Sequence, residues 1–357
     1  MKILFVGPLI YPVHGQSLAF TRLVESLKIN EKYIINTNGE DYDGVRKVFF
    51  SIQVLFFIFI KLTVKKFDTV YFTCSRSFLG SLKDILLINL ASVKGSRIIN
   101  HLHGSDFYDF LHGSPKWYKK LLIHSYNKVD TSIVLLERMR DQFQDFQNMT
   151  VEVVPNFYDN SLNESLENKN INEINLVYLS NIMCSKGIFD LISAFKLLAT
   201  KYTNVHLYIA GGYIADKYMG CAEIKDKFLH EISGHSRIVY LGKVFGDEKI
   251  KLLQRSDIFV LPTYYDSEAF PISIIEGMAC GNAIVTTNYK YLPDVVTAAN
   301  GVLIEPKSIE SLVSGIEVFF KNNEKLRSIQ LNNKLHAKDN YSIEQYINSL
   351  NSLLMNK

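Results

Sequence analysis

Short apolar runs alternate with helix-length segments along almost the whole chain, and this rhythm restricts the fold more than any other feature. In the first half the runs are residues 3–7, 32–36, 69–73, 97–103, 131–136 and 151–156. In the second half they are residues 175–180, 205–212, 237–242, 257–263, 282–288 and 301–306. Helical patterns intervene, among them 16–28, 81–93, 187–200 and 271–280. Several runs are apolar at every position, so both faces of those strands must be covered. Strand–helix alternation achieves this with parallel strands and helices on either side. The expected class is therefore α/β, with doubly wound parallel sheets. A length of 357 residues favours two domains. The stretch 157–173 is polar, Asn-rich and without apolar period, and reads as the connection. Residues 1–158 then form one domain, 159–173 a linker and 174–338 a second domain. The tail 339–357 carries Ile343, Tyr346, Ile347, Leu350 and Leu353 at helical spacing, and should pack back on the first domain.

Apolar residues at 47% and charged residues at 21% supply substantial cores and exclude wholesale disorder. The net charge of +3 is too small to indicate a nucleic-acid binder. Residues 1–158 carry +5 and the remainder −2, so the basic excess lies in the first half. Cys74, Cys184, Cys221 and Cys280 form no C-x-x-C pair, which argues against a zinc knuckle or a disulfide framework and fits a reducing cytoplasm. The N-terminal MKILFVGPLIYPVHGQ lacks a small-residue cleavage site and reads as a strand. The sequons at Asn148, Asn163 and Asn340 then read as accidents of composition.

Residues 48–60 (VFFSIQVLFFIFI) are the strongest apolar run. Thirteen helical residues span about 20 Å, short of a hydrocarbon core of roughly 30 Å. A buried helix of the first domain is the expected reading. The competing one is partial insertion into an anionic membrane face, favoured by Lys61, Lys65 and Lys66 beyond the run and by Lys116, Trp117, Lys119 and Lys120 in the same half.

Chemistry concentrates in residues 257–281. A buried strand ends at Leu261-Pro262, a polar loop follows, and a helix is expected to start at Pro271, where no hydrogen-bonded N–H is needed. The amides near Phe270, Ile272 and Ser273 would point from that helix start toward a phosphate or sugar oxygen. Glu268 precedes the turn and Glu276 follows on the helix. Such a carboxylate pair suits a polyol phosphate, because each accepts two hydroxyl donors; the competing reading is two surface glutamates.

Glu268-Ala-Phe-Pro-(x4)-Glu276, followed by Gly-Met-Ala-Cys-Gly-Asn-Ala-Ile-Val, resembles the E-x7-E element of retaining glycosyltransferases of family 4, which have the GT-B fold. Further motifs occur in the family's order: a glycine loop ending at Gly15, His103-Gly104, Val154-Pro155-Asn156, Lys186-Gly187 and Gly211-Gly212. The resemblance implies two Rossmann-like domains facing a central cleft, and a UDP- or GDP-sugar as donor. Glu276 would bind the ribose, and Glu268 the donor sugar near its reacting carbon. Amides around Phe270, Pro271 and Ile272 would meet sugar and phosphate oxygens, with Gly212 in the same donor site. Lys186 would neutralise the diphosphate, Gly15 would bring backbone to the phosphate, and His103 would contact the sugar or acceptor. The resemblance further implies no obligatory metal, no cofactor, and retention of anomeric configuration. A lipid-linked glycan acceptor at the inner face of a bacterial membrane follows from the basic, apolar first half together with that analogy.

Three departures qualify the match. Asn181 stands where the family has an arginine, so a bidentate guanidinium–phosphate contact is missing; Arg76, Arg97 or a lysine would have to compensate. His14 replaces one loop glycine, and Lys290 and Tyr291 replace a glycine pair. Asn181 keeps open a catalytically silent nucleotide-sugar-binding partner of another transferase, and a nucleotide-sugar epimerase of the same fold is a second alternative. Asp41-Tyr42-Asp43 matches a metal-binding D-x-D pattern but lies in a polar, Gly-bounded segment and reads as a solvated loop. His101 shares a sheet face with His103 by strand alternation and is the weaker candidate. Gly211-Gly212 lacks dinucleotide-fingerprint spacing, which disfavours an NAD enzyme.

Overall fold

The computed structural model describes residues 1–10, 15–27, 31–39, 42, 44–163 and 173–355. They fall into two compact units, Met1–Asn156 with Tyr346–Lys357, and Phe157–Gln345.

The first unit runs β1 (Lys2–Gly7), α1 (Gly15–Ser26), β2 (Glu31–Asn36), α2 (Gly44–Val64), β3 (Thr69–Thr73), α3 (Phe78–Val93), β4 (Arg97–His101), α4 (Phe107–Gly113), α5 (Lys116–Tyr126), β5 (Thr131–Val134) and β6 (Thr150–Val153). All six strands are parallel, in the order β2-β1-β3-β4-β5-β6. The chain adds β2 on one side of β1, then crosses over to add β3 to β6 on the other. Strands β3 and β5 are buried at every residue, as their apolar or small side chains on both faces require, while the edge strand β2 is half-exposed.

The second unit runs β7 (Ile174–Leu179), α6 (Ile188–Lys201), β8 (Val205–Ala210), α7 (Cys221–Ile232), β9 (Ile238–Tyr240), α8 (Gly246–Arg255), β10 (Ile258–Leu261), α9 (Ile272–Ala279), β11 (Ala283–Thr287), α10 (Leu292–Val295), β12 (Gly301–Ile304), α11 (Ile309–Phe320) and α12 (Asn323–Asn340). Its strands are again all parallel, ordered β12-β11-β10-β7-β8-β9, so the reversal of direction falls between β7 and β10. Phe157, Tyr158 and Leu162 are buried in this unit, and the Tyr158 amide donates to the Tyr341 carbonyl. The last helix, α13 (Ile343–Met355), buries Tyr346, Leu350 and Leu354. The Tyr346 hydroxyl donates to the Ala19 carbonyl at 3.3 Å, and Arg97 donates to the Leu353 carbonyl at 2.7 Å.

The expectation for residues 48–60 needs correction. The run lies within a helix of 21 residues that buries only Val54, Ile58 and Leu62. Nothing in residues 45–47 or 61–64 breaks a helix, so the element outgrows its apolar segment at both ends. Strands, conversely, end inside their apolar runs: β4 stops at His101, leaving Leu102 and His103 to the loop. His14, Asp41 and Asp43 lie outside the described residues.

Candidate active site

In an open parallel sheet, ligands gather at the carboxyl ends of the strands where the winding reverses. In the second unit that point lies between β7 and β10, and both strand-end loops carry polar residues. From β7 the chain passes Ser180 and Asn181 into a single 3₁₀ turn, Cys184–Lys186. Gly187 then takes φ +73°, and a Cβ there would lie 2.1 Å from the Pro262 carbonyl oxygen. Only glycine permits this approach, which brings Lys186 against the loop after β10. The turn is fastened twice more. The Tyr264 amide donates to the Ser185 carbonyl at 2.7 Å, and the Ser185 amide donates to Asp216 at 2.6 Å. Burial alone would raise the Asp216 carboxyl, but amides of Ser185, Tyr218 and Met219 hold it below the usual carboxylate range.

Lys186 Nζ lies 2.6 Å from Glu268 Oε2, and the Thr263 hydroxyl donates to the same oxygen at 2.8 Å. Thr263 is wholly buried and Glu268 is 6% exposed. On α9, Glu276 is 5% exposed, and its Oε1 meets Lys249 Nζ of α8 at 2.5 Å. Neither glutamate is a surface residue, which removes the bland reading of the pair. Among the described residues no donor reaches Glu268 Oε1 or Glu276 Oε2, so each carboxylate keeps one oxygen for a hydroxyl.

Pro271 is the cap of α9 (φ −61°, ψ 122°) and not its first helical residue, a shift of one position from expectation. The helix ends where Gly281 takes φ +71°, with the Gly281 amide bonded to Met278 and the Asn282 amide to Gly277. Gly277 lets α9 lie on the Phe259 ring of β10. The Phe270 side chain packs edge-on to Tyr341, so only its backbone is suited to a ligand. Ile272 is buried.

The end of β8 abuts this site. A Cβ on Gly211 would lie 1.9 Å from the Ser180 carbonyl oxygen, and one on Gly212 would lie 2.2 Å from Lys243 Cε. The Lys243 stem therefore lies directly over Gly212, and the neighbouring Gly211 lies against half-buried Asn181, whose carbonyl accepts from the Tyr178 hydroxyl. Lys290 adopts φ +50°, a left-handed backbone that favours glycine.

Thr263, Lys249, Lys243 and Asp216 were not legible as site residues. A polar threonine at the carboxyl end of a wholly buried strand was the one available signal. Lys249 follows Gly246-Asp247-Glu248 and has the pattern of a solvated helix start.

In the first unit, His103 lies two residues past β4 and its ring stacks on His101 at 4.0 Å, so the two share a face. His101 is buried, with Nδ1 2.6 Å from the Tyr71 hydroxyl, and burial lowers its pKa to about 3. It is a neutral core histidine. Gly104 admits Arg76 directly above its Cα, and the guanidinium bonds Asp106 at 2.5 Å. Arg97 stands at the opposite, amino-terminal end of β4 and is engaged with the Leu353 carbonyl, which removes it as a replacement for the missing arginine. Gly15 is the exposed first residue of α1. Among the described residues, no three His, Cys, Asp or Glu side chains gather as a metal site would require.

Residues 162–336 match the family model for glycosyl transferases group 1. The chain is 25% identical over 319 residues to an uncharacterized glycosyltransferase of Methanocaldococcus jannaschii, spanning 86% of this chain and 74% of that protein. It is 31% identical over 163 residues to the N,N'-diacetylbacillosaminyl-diphospho-undecaprenol alpha-1,3-N-acetylgalactosaminyltransferase of Campylobacter jejuni, spanning 45% of this chain and 39% of that protein. Among solved structures, Anabaena HepE in complex with UDP superimposes with a TM-score of 0.77 at 16% identity, over 99% of each chain. Sucrose-phosphate synthase from Thermosynechococcus elongatus gives 0.76 at 14% identity, over 99% of this chain and 98% of that one. At such identities the likeness bears on fold, and the fold is GT-B.

Proposed function

We propose that the chain, whose residues 162–336 match the family model for glycosyl transferases group 1, is a member of that family and moves a sugar from a UDP- or GDP-sugar to a lipid-linked glycan acceptor, with retention of configuration. One observation carries the donor assignment: two buried carboxylates, each paired with a lysine and each keeping one free oxygen, stand at the winding reversal of the second sheet. The UDP alternative draws on HepE, described in complex with UDP. The lipid-linked acceptor draws on the Campylobacter relative, whose name specifies an undecaprenol-linked substrate.

Cleaving a sugar–phosphate bond develops positive charge at the anomeric carbon and negative charge on the departing diphosphate. Fixed dipoles and charges oriented for both stabilise that transition state. In this reading Glu276 accepts the ribose hydroxyls through the oxygen that Lys249 leaves open. Glu268 accepts a donor-sugar hydroxyl and sits near the developing cation. Lys186 turns its ammonium to the diphosphate, and the backbone of Phe270–Ile272 donates to sugar and phosphate oxygens. Asn181 offers its carboxamide, with Lys243 above Gly212 supplying the positive charge that an arginine would have brought. The leaving diphosphate takes the acceptor's proton on the same face, and lysines supply the counter-charge without a metal. Gly15 and His103 keep the phosphate and acceptor roles implied by the resemblance. The protein would work in the cytoplasm, peripherally at the inner face of the cell membrane.

Calorimetric titration of UDP and GDP tests the site. One nucleotide should bind, and Lys186→Ala and Glu276→Ala should each weaken it about 10- to 100-fold, the worth of a hydrogen bond to a charged group. Equal affinity in folded variants would reject the assignment.

A further inference from the structure

Helix α2 has two apolar stripes, and the fold uses one. Val54, Ile58 and Leu62, spaced i, i+4, i+8, are its buried residues. Val45, Phe49, Ile52, Phe56 and Phe59 follow at i, i+4, i+7, i+11, i+14 on the opposite side, 49 to 79% exposed. A continuous apolar stripe of this length on a water-soluble surface marks an interaction site. The segment 44–66 contains Arg46, Lys47, Lys61, Lys65 and Lys66 and no acidic residue. The strand order sends the crossovers β2–β3, β3–β4 and β4–β5 the same way, so α2, α3 and α5 form one layer. On that layer Phe78, Leu79 and Trp117 are also exposed, beside Lys116, Lys119 and Lys120.

We propose that α2 lies flat on an anionic phospholipid bilayer, with the Val45–Phe59 stripe at the acyl boundary and the basic side chains among the headgroups. The inference deepens the membrane-face part of the proposed function and is independent of the donor chemistry. Charge decides against a second copy as the occupant. Helix α2 carries Arg46, Lys47 and Lys61 and no carboxylate, Lys65 beyond it being paired with Glu31, so α2 against itself would face three cations with three, whereas an anionic surface is complementary. By length and composition α2 is the one described helix able to cross a bilayer. Its Val54–Ile58–Leu62 stripe is buried against the rest of the unit, however, which orients the helix along the interface and not through it.

The test is flotation of the full-length protein with vesicles of phosphatidylglycerol and phosphatidylcholine, against vesicles of phosphatidylcholine alone, without nucleotide sugar. Binding should require the anionic lipid and fall as salt rises. Phe49→Ser and Phe56→Ser should each lower partitioning about tenfold. Arg46→Gln with Lys47→Gln, which leaves the apolar stripe intact, should lower it by a similar factor and flatten the salt dependence. All four positions are exposed, so circular dichroism spectra should be unchanged. Absence of binding to anionic vesicles at low salt would overturn the proposal, as would equal binding by the phenylalanine variants. A dimer in sedimentation that Phe56→Ser dissolves, with no vesicle binding, would assign the stripe to a second copy instead. None of these outcomes touches the transferase reading, because no donor is present.

Discussion

Lys186 and Glu268 should be energetically coupled to an extent that surface ion pairs never reach. Their side chains are 13% and 7% exposed, their N···O distance is 2.6 Å, and the Thr263 hydroxyl is Glu268's other donor. Lys186→Met leaves a buried carboxylate with a single hydroxyl donor. Glu268→Leu leaves an ammonium facing the Tyr265 ring, 4.9 Å from its centroid. Breaking a buried pair from one side costs about 3–5 kcal/mol. The double variant removes both charges, leaves neither orphaned, and should lie within about 2 kcal/mol of the parent. The coupling free energy is then at least about 4 kcal/mol, well beyond the roughly 0.5 kcal/mol error of additivity. Urea denaturation followed by far-ultraviolet circular dichroism, read on the second unit's transition, measures it. Sugar transfer should be absent from both single variants and from the double variant alike, although the double variant regains stability. Additive single effects would show that the pair is solvent-screened and would refute the burial argument.

Gly187→Ala should destabilise the protein by about 3 kcal/mol or more, combining a left-handed residue with overlap on the Pro262 carbonyl; thermal denaturation reads this directly. Lys249→Met should raise the donor KM more than it lowers kcat, because it frees Glu276 without touching the reacting carbon, and steady-state kinetics separates the two. His101 binds fewer protons folded, at a pKa of about 3, than unfolded, at about 6.5. Its contribution to stability is present above pH 6.5 and is lost as pH falls toward 3, at up to about 1.4 kcal/mol per pH unit. His101→Gln should therefore flatten the acid limb of a stability–pH profile, and an unchanged limb would contradict the assignment of a buried neutral imidazole.

The two parallel sheets were legible because apolar runs such as TVYFT and DIFVLPT leave no solvent face, and the helices between them fix the direction of winding. Glu268 and Glu276 were legible as a pair from spacing, but their burial was not: it comes from Thr263, Lys186 and Lys249, which lie 5 to 82 positions away in sequence from the carboxylates they hold. Helix α2 misled for a related reason. Hydrophobicity alone reports that a segment avoids water and says nothing about what covers it; the two stripes emerge only when Val54, Ile58 and Leu62 are seen to face inward. Pro271 shows a finer limit, since its fixed φ suits the cap and the first turn equally, and ψ decides between them.

The most direct test is donor turnover. Purified protein is incubated with a panel of UDP- and GDP-sugars, first alone and then with membrane lipid extract, and the released nucleoside diphosphate is measured. The account predicts release from one donor, stimulated by the lipid extract and reduced about 10²-fold or more by Glu268→Ala and by Glu276→Ala. Nucleotide binding without turnover under any of these conditions would contradict it, and would move the protein to the class of silent partners that Asn181 had kept open.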